Sequence, residues 1–540
     1  MAKQQAHELI QAQVLVLGGG PAGVWAALEA ARAGTSVALA DKGYCGVSGA
    51  AAASNNNIWY VPDSTQYPIY FEEGYLAGGS LSEQSWVEAV LETAVRQLHF
   101  MSERGYRFPV TESGARNYGT LRGPDYMRFM RSQLRKAKVR ILDHSPVQQL
   151  LVADGQVTGA RGERLNGEPW QVSASATVIA TGGCAFLSGV LGTNVCTGDG
   201  HLAAGEAGVT FSGMEFSNQY GMAASFSTFT KGLPFHWASY YDEEGYEIDL
   251  GAEEPFVAIA RASRRGRVFA CYDKASADVQ RWLRSGQAIA FMPFDRMGID
   301  PFRERFELSL RLEGTVRGTG GIELRGRDCS TNLPGLYAAG DAASREPIVG
   351  GRSGGGSPNA AWAMATGSWA GQAAARFALA QGEAVPAGGT ASELIANGAD
   401  LANAMQVIQE ELWSVERNVF RSEAGLKQAL QRLDESWGFQ KANRVQRSAR
   451  EVHAMLYVGR LAYTSALNRR ESTALHQRVD YPLGTPDAPY RQRVWGVEKH
   501  SLNGSSQHTA SFFFPPSSMK NGMIPLVRYS AGSTSPVATR

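Results

Sequence analysis

Val14-Leu15-Val16-Leu17 is an unbroken apolar run that stops at Gly18-Gly19-Gly20-Pro21-Ala22-Gly23. A run this short, bounded by glycine, predicts a strand buried on both faces of a parallel sheet. A helix is predicted over 24–33 with Gly34 as its stop, then a strand over 35–40 that ends on Asp41. Trp86, Val90, Val95, Leu98 and Met101 recur at helical spacing and predict a helix over 81–104, with another over 126–138. Residues 139–154 lead into a hairpin turn at Asp154-Gly155, and strands over 156–160 and 170–175 complete a small antiparallel sheet. A further buried strand is predicted over 176–180, ending at Thr181-Gly182-Gly183, and a helix follows Thr197-Gly198-Asp199-Gly200.

From 214 to about 313 this rhythm breaks, and aromatic residues and arginines accumulate, among them Phe235, His236, Trp237, Tyr240, Tyr241, Arg261, Arg264 and Arg265. That stretch reads as an inserted domain. The α/β pattern resumes with Leu336-Tyr337-Ala338-Ala339-Gly340-Asp341, a glycine-rich loop over 350–358 and an alanine-rich helix over 359–378. A proline and glycine linker covers 384–389. Beyond it Leu401, Met405, Ile408 and Leu412, then Leu426, Leu430 and Leu433, step at helical spacing, and 447–466 predicts a third helix. The tail from Ser501 carries Phe512-Phe513-Phe514-Pro515-Pro516. The boundaries that follow are 1–213 and 315–383 for a dinucleotide-binding domain in two parts, 214–314 for the insert, 390–500 for a helical domain and 501–540 for the tail.

Length and charge narrow the function. A chain of 540 residues with net charge +1 has no electrostatic case for nucleic acid. No apolar window is long enough to cross a membrane, and residues 1–13 carry no apolar signal core, so the cytoplasm is the expected compartment. Cys45, Cys184, Cys196, Cys271 and Cys329 are scattered, which predicts no disulfide framework, no metal site and no iron–sulfur cluster within the chain. The 61 glycines gather in loops beside apolar runs, where backbone has to approach a cofactor closely.

Strand, Gly-x-Gly-x-x-Gly, helix, strand and acid form one unit for a dinucleotide. Gly18 allows the tight turn, Gly20 lets backbone reach a pyrophosphate, and Gly23 lets the helix pack on the strand. The free N–H groups and positive end of the helix face the phosphates. Asp41, 18 residues after Gly23, is placed to accept hydrogen bonds from a ribose.

The motifs 18–23, Ala180-Thr181-Gly182-Gly183, Thr197-Gly198-Asp199-Gly200, Met214-Glu215-Phe216, 335–341 and the run 470–482 occur in a characteristic order. This order resembles the flavoprotein subunits of the succinate dehydrogenase and fumarate reductase family, which includes L-aspartate oxidase and the adenylylsulfate reductase α subunit. The resemblance implies an α/β fold: a Rossmann-like FAD-binding domain with an inserted α+β capping domain and a C-terminal helical domain. It makes the cofactor FAD, with Gly18, Gly20, Pro21, Ala22 and Gly23 at the pyrophosphate and Asp41 at the adenosine ribose. Lys42, Ser48, Gly49, Ala50, Val147, Thr181, Gly182 and Asp199 complete the cofactor set. Gly340 and Asp341 fall near the ribitol, and Ser357 and Pro358 at the flavin's N1–C2 edge. Many members attach FAD through a histidine that follows a serine, whereas Ser48 is followed by Gly49, which implies non-covalent FAD.

The same resemblance fails at the dicarboxylate site. The expected His-Pro-Thr after Met-Glu-Phe is replaced by Ser217-Asn218-Gln219, and Phe256 of Pro255-Phe256-Val257 stands where a proton-donating arginine is expected. Succinate, fumarate and aspartate are therefore not the expected substrates. Arg352 remains as an anion-binding group, with Tyr220, His236 and Arg261 as further catalytic candidates and Tyr240 as a cap contact. The expected site lies between the FAD domain and a cap hinged near Gly213 and Gly314. The expected function is an FAD-dependent dehydrogenase or reductase for a small polar or anionic substrate, exchanging electrons with a separate iron–sulfur or ferredoxin-like protein, and an oligomer is compatible with it. An oxidase or monooxygenase using O₂, and a flavin-bound assembly subunit without turnover, are the alternatives.

Overall fold

The computed structural model describes residues 9–110, 115–230, 232–251, 255–382, 394–396, 401–437, 440–442, 447–482 and 488–506. The 384–389 linker, Glu253, Glu254 and Phe512-Phe513-Phe514 lie outside the described residues.

Among the described residues the main sheet has seven strands. Arg140–Leu142, Val37–Ala40, Leu9–Leu17 and Pro169–Ile179 lie side by side and parallel. Val14 to Leu17 are buried as the apolar run requires. The strand begins earlier than expected, at Leu9, because residues 9–12 alternate exposed and buried, a period-2 pattern distinct from an apolar run. The two strands expected over 170–175 and 176–180 are one, Pro169–Ile179. No turn residue interrupts it, so it continues from an antiparallel pairing with Gln156–Glu163 into a parallel pairing with Leu336–Ala338. The Asp154-Gly155 turn has both residues left-handed (φ 49° and 74°), as a two-residue hairpin with the sheet's twist requires.

Helix Pro21–Arg32 packs on the long helix Ser357–Gln381 at backbone distance. A Cβ on Gly367 would lie 2.3 Å from Ala22 O, and one on Gly371 would lie 2.2 Å from Ala26 O. Glycines four residues apart thus let the two helices touch and bring both N-termini to one side of the sheet.

Strands between Gln219 and Gly314 form a separate antiparallel sheet in the order Gln219–Ala224, Phe306–Gly314, Phe269–Cys271, Ser239–Tyr241. This cap has its own core around Ile259, Leu283, Phe291, Phe294 and Phe306. Gly213 and Gly314 are both left-handed (φ 68° and 53°), yet neither is slack. A Cβ on Gly314 would sit 2.1 Å from Cys184 O, and one on Gly213 2.9 Å from Glu346 Cδ. They are close-packing points, which corrects the expectation of free hinges.

Helices Leu401–Leu412, Glu423–Trp437 and Arg447–Asn468 form the expected bundle. The end of the expected helical region is not helical. Tyr490–Trp495 and Ser501–Ser506 form a hairpin that joins Phe211–Ser212 and Gly321–Ile322 in a four-stranded sheet. Gln492 and Val494 are buried while their neighbours are partly exposed, the alternation of a strand with one covered face.

Candidate active site

Four parallel strands end at one cavity of about 2010 Å³. Leu17 runs into Gly18, Ala40 into Asp41, Ile179 into Ala180-Thr181-Gly182, and Ala338 into the turn holding Gly340 and Asp341. Ligand sites of open α/β sheets lie at this carboxyl edge. Every cofactor candidate from the sequence lines the cavity except Gly23.

The three fingerprint glycines differ in what surrounds them. At Gly18 (φ 108°) a Cβ would lie 2.2 Å from Ala180 O, so the turn has no room for a side chain. At Gly23 it would lie 1.8 Å from Gly18 O, where helix meets strand. At Gly20 it would meet nothing within 4 Å. Gly20 therefore faces the cavity, at the N-terminus of Pro21–Arg32, whose first N–H groups carry no side-chain cap. Gly356, likewise open, starts Ser357–Gln381, also without a side-chain cap. Two helix N-termini thus present free N–H donors and positive dipole ends to one space.

Asp41 is buried, and its carboxylate accepts from the Gly19 and Gly43 N–H groups and from the Ser48 hydroxyl (3.0 Å). Burial raises its pKa, partly offset by these donors. Asp41 therefore ties the glycine loop to the loop after the second strand, in addition to facing the cavity. Lys42 Nζ donates to Thr197 Oγ1, to Asp199 (2.6 Å) and to Glu451 (2.9 Å) on helix Arg447–Asn468. Burial works against its charge, but Asp199 and Glu451 outweigh that and hold its pKa above the usual value. Lys42 and Asp199 thus clamp the nucleotide side to the C-terminal bundle, a role the sequence motif does not reveal.

Asp341 accepts from Arg345 (2.6 Å), which is wholly buried. Arg345 also reaches Asn359 and the carbonyls of Thr315, Val316 and Gly318, fixing the turn against the root of the cap.

The catalytic candidates separate. Arg352 lines the cavity, and its Nε is buried without a hydrogen-bond partner among the described residues. His236 lines the cavity but is exposed, with Nδ1 3.1 Å from Leu233 O. Tyr220 is in the wall, but its hydroxyl lies 3.0–3.3 Å from the carbonyls of Leu412, Trp413 and Ser414, and burial raises its pKa. It latches the cap to the bundle, which corrects its expected place among the catalytic residues. Tyr240 is buried against Phe235 O. Arg261 is exposed and outside the cavity lining, which corrects its expected catalytic place, and Arg265 is likewise exposed outside it. Arg264 pairs with Glu416 on the surface (2.9 Å). His476 is fully buried between Arg421 (2.7 Å) and Arg469 O (3.0 Å), a junction contact.

Three cavity residues escape the sequence motifs. Arg317 lines the cavity beside Arg352 and pairs with buried Glu313 (3.0 Å). Gln219 Oε1 and Thr230 Oγ1 line it too, buried and without a partner among the described residues. Gln219 lies three residues after Met214-Glu215-Phe216, which is the signal that could have found it, whereas Arg317 and Thr230 meet only in space, where Arg317 donates to Thr230 O (3.4 Å).

Two family models match the chain. One, described as FAD binding domain, covers residues 13–220, and the other, described as Fumarate reductase flavoprotein C-term, covers 406–511. Over these two regions the chain is similar to the flavoproteins of the succinate dehydrogenase and fumarate reductase family. It is 25% identical to the fumarate reductase flavoprotein subunit of Serratia sp., across 88% of this chain and 90% of that protein. It is 24% identical to a fumarate reductase (CoM/CoB) subunit of Methanothermobacter marburgensis, across 89% of this chain and 96% of that one. Among solved structures, the fold is shared with Escherichia coli quinol fumarate reductase (20% identity, TM-score 0.78, 94% of this chain and 98% of that one). It is shared also with adenylylsulfate reductase of Archaeoglobus fulgidus (17%, 0.76, 94% and 98%).

FAD is the cofactor of this flavoprotein, and the protein is an FAD-dependent oxidoreductase. The cavity fits the group. Gly20 leaves open space at a helix N-terminus, a second helix N-terminus meets the same space, and Thr181 Oγ1 is buried there without a partner among the described residues. No described helix is long and apolar enough to cross a membrane.

Proposed function

We propose that the protein binds FAD non-covalently and acts as a dehydrogenase or reductase on a small polar or anionic substrate held between the FAD-binding part and the cap. Gly18, Gly20, Pro21 and Ala22 hold the pyrophosphate, Asp41 and Lys42 shape the ribose end, and Asp341, Ser357 and Pro358 serve the ribitol and ring. FAD held there would supply hydride exchange with the substrate and single-electron exchange with a partner. The chain's own residues bind and orient the substrate and keep water out. Gly49 stands in the cavity wall where a covalent link would need a side chain, which supports free FAD.

The observation that carries the substrate reading is Arg352. Its Nε is buried without a hydrogen-bond partner among the described residues, inside a cavity that Arg317 also lines. A buried guanidinium donor without an acceptor costs free energy that an anion recovers through charge-assisted bonds. Phe256 lines the same cavity stacked on Tyr220 (centroids 6.3 Å apart), an apolar contact where dicarboxylate chemistry needs a proton donor. This supports a substrate other than fumarate or succinate. The Serratia and Methanothermobacter relatives are both named as subunits, and the five cysteines are dispersed, which supports electron exchange with a separate iron–sulfur or ferredoxin-like protein.

The test is an anion titration followed by flavin absorbance. Anions that perturb the wild-type spectrum lose affinity in Arg352→Met while FAD content and thermal midpoint stay unchanged. Equal binding by both proteins refutes the reading.

A further inference from the structure

We infer that the substrate is an anion carried on a flat aromatic body, its charged end at Arg352 and its ring at an aromatic mouth formed by Trp59 and Trp282. This rests on the anionic-substrate reading and narrows it. Size is the first observation. A pocket for one ligand spans roughly 300–1,000 Å³, and this cavity of about 2010 Å³ leaves, beside FAD, room for a body much larger than a four-carbon acid.

The second observation is what faces that room. On the FAD side Trp59 packs edge-on to Tyr70 (6.1 Å) and Tyr60 stacks on Tyr118 (4.8 Å), all four in the cavity wall. On the cap side Trp237 packs edge-on to Trp282 (6.1 Å), and both line the cavity. Trp282 is 38% exposed, so its indole is only partly used in packing.

The third observation brings the two sides together. Asn55 Nδ2 donates to Gly286 O, joining strand Asn55–Asn57 to the last turn of helix Ala277–Gly286. Trp59 lies four residues beyond one end of this clasp, and Trp282 lies one helical turn before the other. The clasp therefore brings together the strand and the helix that lead to the two indoles, both of which line the cavity. A flat ring held against these indoles gains aromatic contact, while a short aliphatic acid of equal charge gains none.

The polarity of the cavity orients such a ligand. Arg352 Nε and Thr230 Oγ1 are its buried groups able to donate and without partners at the cap root, among the described residues. By contrast Lys274 and Asp278, near the mouth, are paired with Glu247 and Arg281. The charge belongs at the root and the ring at the mouth.

The experiment uses the FAD-loaded full chain and titrates glutarate, 2-naphthoate and neutral 2-naphthamide against the flavin spectrum. 2-Naphthoate is expected to bind at least about tenfold more tightly than either of the others. Trp282→Ala, at a partly exposed site, removes about tenfold from 2-naphthoate affinity and leaves glutarate binding and FAD content as in wild type. Equal affinities for glutarate and 2-naphthoate, both lost in Arg352→Met, overturn the aromatic body and leave the anion reading standing. Equal affinities for 2-naphthoate and 2-naphthamide overturn both. No spectral response to 2-naphthoate, or a response insensitive to Trp282→Ala, also overturns the inference.

Discussion

The glycine fingerprint makes a prediction that separates folding from cofactor binding. Gly20 has φ −75° and ψ −176°, backbone that alanine adopts without strain, and its Cβ would meet nothing within 4 Å. Gly20→Ala therefore leaves the apoprotein within about 1 kcal/mol of wild type, a less free unfolded chain offsetting a poorer helix N-cap. The new methyl stands where a pyrophosphate approaches the helix N-terminus. Losing one charge-assisted hydrogen bond there costs about 1.5–3 kcal/mol, or on the order of ten- to a hundredfold in FAD affinity. Gly23→Ala differs. Its methyl carbon would lie 1.8 Å from Gly18 O against a closest tolerable approach of 3.0 Å, so helix and strand must part by more than an ångström. That damages the apoprotein itself. Apoprotein thermal midpoints and FAD titration by flavin fluorescence quenching read the two effects separately. Wild-type FAD affinity in Gly20→Ala, or an undisturbed apoprotein midpoint in Gly23→Ala, refutes the reasoning.

Other predictions follow from buried charge. Lys42→Met strips the cation from Asp199 and Glu451 and costs about 3–5 kcal/mol, read as a lowered unfolding midpoint in denaturant; an unchanged midpoint rules out the clamp. Asp41→Ala, unlike Gly20→Ala, lowers both apoprotein stability and FAD affinity because the acid joins two loops, and the same two assays show whether the losses travel together. Burial pushes the Glu346 carboxyl up to about 7 from its ordinary 4.5, so the native state binds an extra proton between those values. Its contribution to stability is full below about pH 4.5 and is lost as pH rises through 7. Glu346→Gln is thus expected to raise the thermal midpoint at pH 8 and to leave it unchanged at pH 4.5; a loss at both pH values counts against this. All flavin is expected in the supernatant after acid precipitation, and colour in the pellet refutes non-covalent binding.

The parts of the fold written in local pattern were legible in the sequence. Apolar runs ending at a glycine or an acid located Leu9–Leu17, Val37–Ala40 and Leu336–Ala338, whereas the three-residue Arg140–Leu142 is too short to show such a run, and the Asp154-Gly155 pair located the hairpin. The nucleotide half of the cavity was legible for the same reason, since each contributor lies at the end of a patterned strand. The hairpin Tyr490–Trp495 was harder because its alternation is short and its partners are nearly 300 residues away at Phe211–Ser212. The substrate half resisted because its groups are single residues near a domain junction. Arg317 looks like any loop arginine until Glu313 and the cavity fix it, and Arg261 looks like a site arginine until its helix turns it to solvent. Tyr220 has the chemistry of a donor, but three carbonyls in the bundle occupy its hydroxyl, and no spacing rule announces a partner 192–194 residues away.

The clamp at Lys42 sets an order of events during synthesis. Lys42 and Glu451 are separated by 451 − 42 = 409 residues. At about 5–20 residues per second, the ribosome needs on the order of 20–80 s to make the second after the first. The glycine loop is therefore made long before the carboxylate that braces its neighbour, and the sheet holding Phe211–Ser212 is completed later still, when Tyr490–Trp495 is made. A nascent chain has the nucleotide fingerprint but not its supports, so cofactor loading is a late event that reports on completion of the chain.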